Sequence, residues 1–197
     1  MEPLSQLTAI AAPLVDSDIS TDQIVPARFL SRPREAGFAR CLFHDCRFTA
    51  NGCERAEFVL NRAAYKGAKI IVAGANFGCG SSREQAVYAL YDYGIRAVIA
   101  PCLGDIFRGN CFQNGIAPIA LPEAAIAALL QSLLEQPGTE VGVDIAARVV
   151  RTPDGGVHDF AIHPFHRRLM LAGHEEIDVS LKEIAKIAAF ERRHRIW

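Results

Sequence analysis

The sequence predicts an α/β fold whose core is a parallel sheet with helices between its strands. Three observations support this: short apolar runs rich in β-branched residues, longer stretches with helical spacing between those runs, and glycine or proline at the junctions. The strands are predicted at residues 68–73, 96–100 and 116–121, and the helices at residues 82–93, 105–114 and 123–136. Alternating strands and helices favour parallel pairing, because each helix returns the chain to the edge where the previous strand began.

The N-terminal third is predicted to consist of a strand and loops. Residues 7–15 have the apolar character of a strand, and the polar segment 16–29 is interrupted by Pro26. Proline lacks a backbone N–H and therefore disfavours regular structure in this segment. Neither a repeat nor a linker rich in Pro, Gly or Ser divides the chain, so residues 1–197 are expected to form a single domain.

The C-terminal part is predicted to add an antiparallel hairpin and two helices to this core. Residues 141–151 and 157–163 are the predicted hairpin arms, and Pro153-Asp154-Gly155-Gly156 lies between them. Asp-Gly and Gly-Gly pairs tolerate the positive φ angles of tight turns. The two helices are predicted at residues 165–172 and 181–193.

Composition and charge restrict the partners of this protein. The chain has 197 residues, of which 50% are hydrophobic and 22% charged, and its net charge is −1. This balance is typical of a globular protein and lacks the basic excess that nucleic acids and acidic lipids attract. No apolar run approaches the ~18 residues of a membrane helix, and the first five residues do not resemble a signal peptide. We therefore expect a cytoplasmic protein without nucleic-acid or membrane partners, whose six cysteines are free thiols.

A glycine-rich turn at residues 74–80 is the strongest candidate for a ligand site. It follows a predicted strand and leads into a predicted helix, and ligands of open α/β sheets bind at that edge. Glycines let the backbone approach a ligand, and the unpaired N–H groups at a helix start attract an anion. Arg83 adds a guanidinium that can bind a carboxylate through two hydrogen bonds. A small molecule with a carboxylate is therefore the predicted ligand.

Two other interpretations of the same segment stay open. Ser81 and Glu84 match the spacing of a capping box, in which the serine only caps the helix, and Ser82 and Gln85 match it equally well. Cys79 and the residues after it partly match the start of papain-like proteases, which would make Cys79 the nucleophile of a hydrolase. The segment fits neither a Walker phosphate loop, which needs lysine, nor a dinucleotide-binding fingerprint, which needs a third glycine.

Three separated motifs resemble those of the mobile domain of the aconitase superfamily. The first is Asn76-Phe77-Gly78-Cys79-Gly80-Ser81-Ser82-Arg83-Glu84, and the second is Thr21-Asp22-Gln23-Ile24-Val25-Pro26. The third runs from Asp92-Tyr93-Gly94-Ile95-Arg96 through Ala100-Pro101 to Asn110-Cys111-Phe112. The motifs occur in the family's order, and the likeness covers nearly the whole chain. In bacteria and archaea this domain is often a separate chain, the small subunit of 3-isopropylmalate dehydratase.

The resemblance implies a fold and a reaction. The expected fold is the swivelling, three-layer β/β/α domain of aconitases. The expected reaction is the interconversion of 2-isopropylmalate and 3-isopropylmalate by loss and re-addition of water, a hydro-lyase step in leucine biosynthesis. Related hydro-lyases act on methylmalate, citraconate or homoaconitate, and these substrates are the alternatives.

The resemblance also implies roles for individual residues. Ser81 takes the place of the family's catalytic base, and Asp22 takes that of its active-site aspartate. Ser82 and Arg83 would bind substrate carboxylate. Gln85 stands where the family usually has histidine, and we expect altered packing there without loss of the chemistry.

The cofactor is expected outside this chain. The family's large subunit holds a [4Fe–4S] cluster whose open iron acts as a Lewis acid on the leaving hydroxyl. The spacing of Cys41, Cys46 and Cys53 is not typical of iron–sulfur or zinc sites. We therefore expect no metal in this chain and a large subunit as its partner.

The segment after Pro26 resembles the family's specificity loop. Phe29 and Leu30 supply apolar surface where an isopropyl group would be buried, and they are predicted to bind the side chain of the substrate. From sequence alone, the same two residues could equally pack into the core. Arg28 and Arg32 complicate the prediction, because an arginine turned toward the substrate would favour an additional carboxylate.

Overall fold

The strands form one mixed, seven-stranded sheet in the computed structural model, which describes residues 1–80 and 83–194. The order of the strands across the sheet is β4-β3-β2-β1-β5-β6-β7. Their bounds are β1 Gln6–Leu14, β2 Ile70–Ala73, β3 Ala97–Ala100, β4 Ala117–Ala120, β5 Glu140–Asp144, β6 Val149–Arg151 and β7 Val157–Asp159.

Helices precede, separate and follow these strands. Four single turns of 3-10 helix occupy Ala27–Phe29, Arg34–Ala36, Val59–Asn61 and Ala63–Tyr65. The α-helices are α1 Thr21–Ile24, α2 His44–Arg47, α3 Glu84–Tyr93, α4 Asp105–Gln113, α5 Glu123–Glu135, α6 Pro164–Ala172, α7 Glu176–Leu181 and α8 Ile184–Arg193. Among the described residues, no helix is long and apolar enough to cross a membrane.

The long strand β1 joins the two halves of the sheet. Its second half pairs in parallel with β2, with Ala11 opposite Ile70, and β2, β3 and β4 continue in the same direction. Its first half pairs antiparallel with β5, with Gln6 opposite Asp144, and β6 and β7 complete the antiparallel half. The predicted parallel core with an antiparallel addition is confirmed.

Both faces of the sheet are buried beneath helices or irregular chain. Along β2, Ile71 packs with α3 in one apolar cluster, whereas Ile70 packs with α5 in a second cluster on the other face. Both side chains are fully buried, which explains the nearly continuous apolar sequence of this strand. The segment between β1 and β2 covers the α3 face with Phe38, Leu42 and other apolar side chains. The α/β class predicted from the sequence is confirmed.

One strand predicted as continuous is divided in the structure. The predicted strand at residues 141–151 is two strands, β5 and β6. The carboxylate of Asp144 accepts a hydrogen bond of 2.6 Å from the amide of Ala147, and Arg148 has a φ of +62°, so the chain turns between the strands. The predicted hairpin around residues 153–156 is present, but it joins β6 to β7.

The predicted helix at residues 181–193 is present as α8, which begins three residues later, and the separate helix α7 before it was not predicted. The amide of Glu183 bonds to the carbonyl of Ser180, three residues back, at 3.0 Å. This tighter bond interrupts the four-residue repeat of an α-helix and separates the two elements. Neither α7 nor α8 contributes a buried residue to the core.

One histidine is packed as a neutral aromatic ring. His166 on α6 stacks on Phe112 of α4, with ring centroids 4.4 Å apart and planes 11° apart. Its Nδ1 is buried and has no hydrogen-bond partner among the residues that the structure describes. Burial lowers the pKa of His166, aided by the positive charge of Arg108 and by His163, while Glu176 opposes the shift.

His166 is therefore expected to make folding less stable in acid. In the unfolded chain histidine takes up a proton near its ordinary pKa of 6.5, whereas folded His166 resists protonation until a lower pH. The contribution of His166 to the free energy of unfolding is present above pH 6.5 and falls as the pH drops toward the lowered pKa. His166→Phe keeps the stacked ring and removes this dependence. Urea denaturation at about pH 7.5 and 5.5 measures it, and equal pH dependence in both proteins would contradict the assignment.

Candidate active site

The loops that follow β1, β2 and β3 are bonded to one another at the carboxyl edge of the parallel strands. The amide of Gly78 donates to the carbonyl of Ile19 at 2.7 Å, and the amide of Thr21 donates to the carbonyl of Cys79 at 3.0 Å. On the other side, the amide of Gly104 donates to the carbonyl of Phe77 at 2.9 Å. These bonds continue the parallel pairing beyond the strand ends and bring three loops together where α/β proteins bind ligands.

Two glycines permit this close approach. Gly78 has a φ of +76°, and a β-carbon there would lie 2.2 Å from Cγ of Phe107. A β-carbon on Gly104 would lie 2.5 Å from the carbonyl oxygen of Gly78. Because neither space admits a methyl group, glycine at both positions is a packing requirement of the site.

Asp22 lies in the first turn of the short helix α1. The hydroxyl oxygen of Ser20 accepts from the amide of Gln23 at 3.3 Å, and the side-chain oxygen of Gln23 accepts from the amide of Ser20 at 2.8 Å. This is a complete capping box, and it gives a four-residue helix a defined start. The segment was predicted to be a loop, and this prediction is wrong for Thr21–Ile24, where Ser20 and Gln23 have the capping-box spacing.

Arg83 lies at the N-cap of α3 and forms an ion pair with Asp22. The bond joins its Nη2 to Oδ1 of Asp22, and the two side chains are 18% and 52% exposed. The other terminal nitrogen, Nη1, is buried and has no hydrogen-bond partner among the described residues. The structure thus brings together two of the predicted site residues and leaves one buried N–H group of Arg83 open to a further acceptor.

The helix start bears on the capping interpretation. The helix α3 begins at Glu84, and Arg83 is at its N-cap without a side-chain capping bond. Glu84 accepts a hydrogen bond of 3.1 Å from the side-chain amide of Asn114, the C-cap residue of α4. Ser81 and Ser82 lie outside the described residues, and their roles as base and carboxylate ligand stay predictions.

The predicted specificity loop has its own neighbourhood. Phe29 is half-buried, and its ring centroid lies 4.9 Å from that of His44 on α2. It faces a groove of about 960 Å³ that, among the described residues, neither Asp22 nor Arg83 lines. Leu30 is also half-buried. That Phe29 and Leu30 bind the substrate stays a prediction.

The two arginines of that loop are engaged by their own surroundings. Arg28 forms a two-pronged ion pair with Asp45, and this hydrogen bonding lowers the pKa of Asp45 to about 2. Arg32 donates to the carbonyls of Gly37 and Ala36, each at 2.6 Å. Both guanidinium groups therefore have hydrogen-bond acceptors in the chain around the loop.

The remaining candidate residues are Cys79, Gln85 and the other cysteines. Cys79 is half-buried, and its carbonyl accepts a hydrogen bond from the amide of Thr21, the first residue of α1. Gln85 is half-buried in the first turn of α3. All six cysteines are free, as predicted. In the part of the chain that the structure describes, no three His, Cys, Asp or Glu side chains form a group that could hold a metal ion.

Comparison with known proteins identifies the fold and the family of this chain. The family model of the aconitase C-terminal domain matches residues 1–124, and the model named LeuD_N matches residues 127–164. The 3-isopropylmalate dehydratase small subunit of Paramagnetospirillum magneticum is 46% identical over 99% of this chain and 97% of its own length. The small subunit of the same name from Rhodospirillum rubrum is 47% identical over 98% of this chain and 93% of its own.

A solved structure with lower sequence identity matches the fold of this chain. The crystal structure of a 3-isopropylmalate dehydratase from Methanocaldococcus jannaschii matches with a TM-score of 0.67 and 26% identity, over 94% of this chain and 99% of that one. The fold is that of an aconitase C-terminal domain. Within that class, the chain belongs to the family of 3-isopropylmalate dehydratase small subunits.

The tight approach of the loops predicts a large effect of one methyl group. Gly104→Ala places a β-carbon against the carbonyl of Gly78, and should lower the free energy of unfolding by about 1–3 kcal/mol. Gly109→Ala is the matched control, because that glycine lies inside α4 with open space around it and should gain up to about 1 kcal/mol. Urea denaturation measures both; similar effects of the two substitutions would show that the loops are not closely packed.

Proposed function

We propose that this chain is the small subunit of a two-subunit 3-isopropylmalate dehydratase, which interconverts 2-isopropylmalate and 3-isopropylmalate. One observation carries the proposal: Arg83, which is largely but not fully buried, pairs with Asp22 at the carboxyl edge of the sheet, in a chain that matches relatives with that enzyme's name over nearly their full length. The whole chain acts as a single domain, in the cytoplasm, and it binds neither nucleic acid nor membrane.

Arg83 binds a carboxylate of the substrate. Its Nη2 is held by Asp22, and its buried Nη1 provides an N–H donor that a substrate carboxylate satisfies. Asp22 therefore orients the guanidinium and keeps its charge tolerable in a largely buried position. Ser82 adds a second contact to the same class of ligand.

Ser81 removes and returns the proton during loss and re-addition of water. A hydroxyl is a weak base unless its anion is stabilised, and Arg83 two residues away supplies positive charge for that purpose. The positive φ angles of Gly78 and Gly80 turn the preceding loop sharply toward α3 and support this arrangement. Phe29 and Leu30 bind the isopropyl group.

The partner is a separate large subunit. It supplies a [4Fe–4S] cluster, which acts as a Lewis acid on the hydroxyl that leaves. This chain contributes the proton transfer, the carboxylate contacts and the surface that closes the site. This division of roles between the two subunits places the candidate base and the carboxylate-binding residues in the same chain.

The proposed function is tested by reconstitution with the matching large subunit and a panel of 2-hydroxy diacids. The pair is expected to turn over 2-isopropylmalate, and each chain alone is expected to be inactive. Ser81→Ala should lower kcat by about 10³-fold or more with little change in the free energy of unfolding, since a base acts mainly in the transition state.

Other outcomes point to the alternatives. Preference for methylmalate, citraconate or homoaconitate would assign the chain to a related hydro-lyase. Activity of the isolated chain that thiol alkylation abolishes would favour a hydrolase that uses Cys79. Unchanged kcat in the Ser81→Ala pair would contradict the role of Ser81.

The specificity loop makes a separate prediction. Leu30→Ala should raise KM for 2-isopropylmalate several-fold more than KM for malate, because each buried methylene contributes roughly 0.8 kcal/mol. Steady-state kinetics of the reconstituted pair measures the difference. Equal losses on both substrates, together with a lower melting temperature, would show that Leu30 is a core residue.

A further inference from the structure

A hydrogen bond between two side chains joins the loops that contain the two halves of the candidate site. Nδ2 of Asn76 donates to Oδ1 of Asp18 at 2.7 Å. Asp18 precedes Asp22 by four residues in the loop after β1, and Asn76 precedes Arg83 by seven residues in the loop after β2. The bond therefore spans the junction across which Asp22 meets Arg83.

Both residues have an unusual backbone conformation. Asp18 has a φ of +57° and Asn76 a φ of +61°, in the left-handed region that most side chains avoid. Asparagine and aspartate tolerate this region better than other non-glycine residues. The two loops thus make corresponding left-handed bends, and the side chains meet where the bends face each other.

The backbone around this pair is bonded in the same way. The amide of Asp18 donates to the carbonyl of Ala75 at 2.8 Å, and the amide of Ala75 donates to the hydroxyl oxygen of Ser17 at 3.2 Å. The amide of Asn76 donates to Sγ of Cys102, in the loop after β3, at 3.2 Å. Asn76 is consequently bonded to the loops on both sides of its own.

We propose that Asp18 and Asn76 are positioning residues, which fix the loop containing Arg83 and the proposed base Ser81 against the loop containing Asp22. This inference rests on the proposed function. Neither residue needs to touch the substrate. Loss of the bond shifts one loop relative to the other, and a displacement of about 1 Å at a reacting group can lower the rate up to 10²-fold.

The substitution Asn76→Asp breaks the bond with little change of shape. It removes the donor, places two carboxylates face to face, and keeps a side chain that tolerates the left-handed region. In the reconstituted pair, kcat should fall about tenfold or more, because proton transfer depends steeply on distance. KM should change less than about threefold, because the attraction between Arg83 and a carboxylate falls gradually with distance.

The doubly substituted chain Asp18→Asn with Asn76→Asp restores the bond in reverse. Asparagine at position 18 then donates to the carboxylate at position 76, with donor nitrogen and acceptor oxygen exchanged between two side chains of nearly the same shape. This chain should recover kcat to within about threefold of the wild type. Asp18→Asn alone keeps an acceptor for Asn76 and should behave like the wild type.

A matched control separates positioning from general stability. Nε2 of Gln6 donates to Oδ2 of Asp144, also at 2.7 Å, at the opposite end of β1. Gln6→Glu produces the same clash of carboxylates far from the site. It should lower the melting temperature as much as Asn76→Asp does, yet leave kcat unchanged.

The outcomes decide the proposal. Reduced kcat in Asn76→Asp, recovery in the double substitution and normal kcat in Gln6→Glu support it. Normal kcat in Asn76→Asp, or a loss that the double substitution does not repair, overturns it.

A second measurement does not depend on activity. Hydrogen exchange at the amides of Gly78 and Thr21 in the free chain should be faster in Asn76→Asp and restored in the double substitution. If the wild-type pair turns over no hydroxy diacid, the proposed function fails, and this exchange still decides whether Asp18 and Asn76 hold the loops together. Unchanged exchange in Asn76→Asp would overturn the proposal.

Discussion

Backbone pairing between β1 and β2 does not stop where the strands stop, and the candidate site depends on its continuation. The bonds from Gly78 to Ile19 and from Thr21 to Cys79 make two loops behave as one rigid extension of the sheet. Only with that support can a four-residue helix hold Asp22 in a defined place, since an isolated turn of helix is unstable in water. The sheet therefore determines the position of the carboxylate, although the carboxylate lies outside every strand.

Arg83 shows how the site balances burial against readiness to bind. A guanidinium that is largely removed from water needs acceptors for its donors, and Asp22 satisfies one terminal nitrogen. The other terminal nitrogen, Nη1, has no hydrogen-bond partner among residues 1–80 and 83–194, and a buried donor without an acceptor costs free energy. An anion that fills this place would both bind and stabilise the fold, so affinity and stability are coupled at this residue.

The sequence predicted most of the core because periodic burial leaves a periodic pattern. Every parallel strand and the helices from α3 to α6 were found within a few residues of their ends, since apolar runs and terminal glycines such as Gly94 mark them directly. The division at residues 145–148 and the separate helix α7 were missed, because each depends on a few local hydrogen bonds that the apolar pattern does not record.

The candidate site was predictable in its residue types and less so in its contacts. Motifs identified Asp22 and Arg83 separately, but nothing in the sequence indicated that they pair, since 61 positions separate them. The hydrogen bond between Asp18 and Asn76 was not predictable from the sequence, because it depends on two left-handed bends that a polar loop sequence does not specify. The spacing of Ser20 and Gln23 matches a capping box and therefore indicates the start of α1, although Pro26 disfavours regular structure in the same segment.

Because β1 pairs with strands on both of its sides, part of its edge stays unpaired while the chain is being synthesised. This strand precedes both of its partners in the chain, since its parallel neighbour begins at Ile70 and its antiparallel neighbour at Glu140. Its first half must wait, with its edge unpaired, until β5 at Glu140–Asp144 has been synthesised. An unpaired apolar edge is a template for association with other chains. A nascent or truncated chain that lacks β5 would be at risk of aggregation although its parallel half is complete.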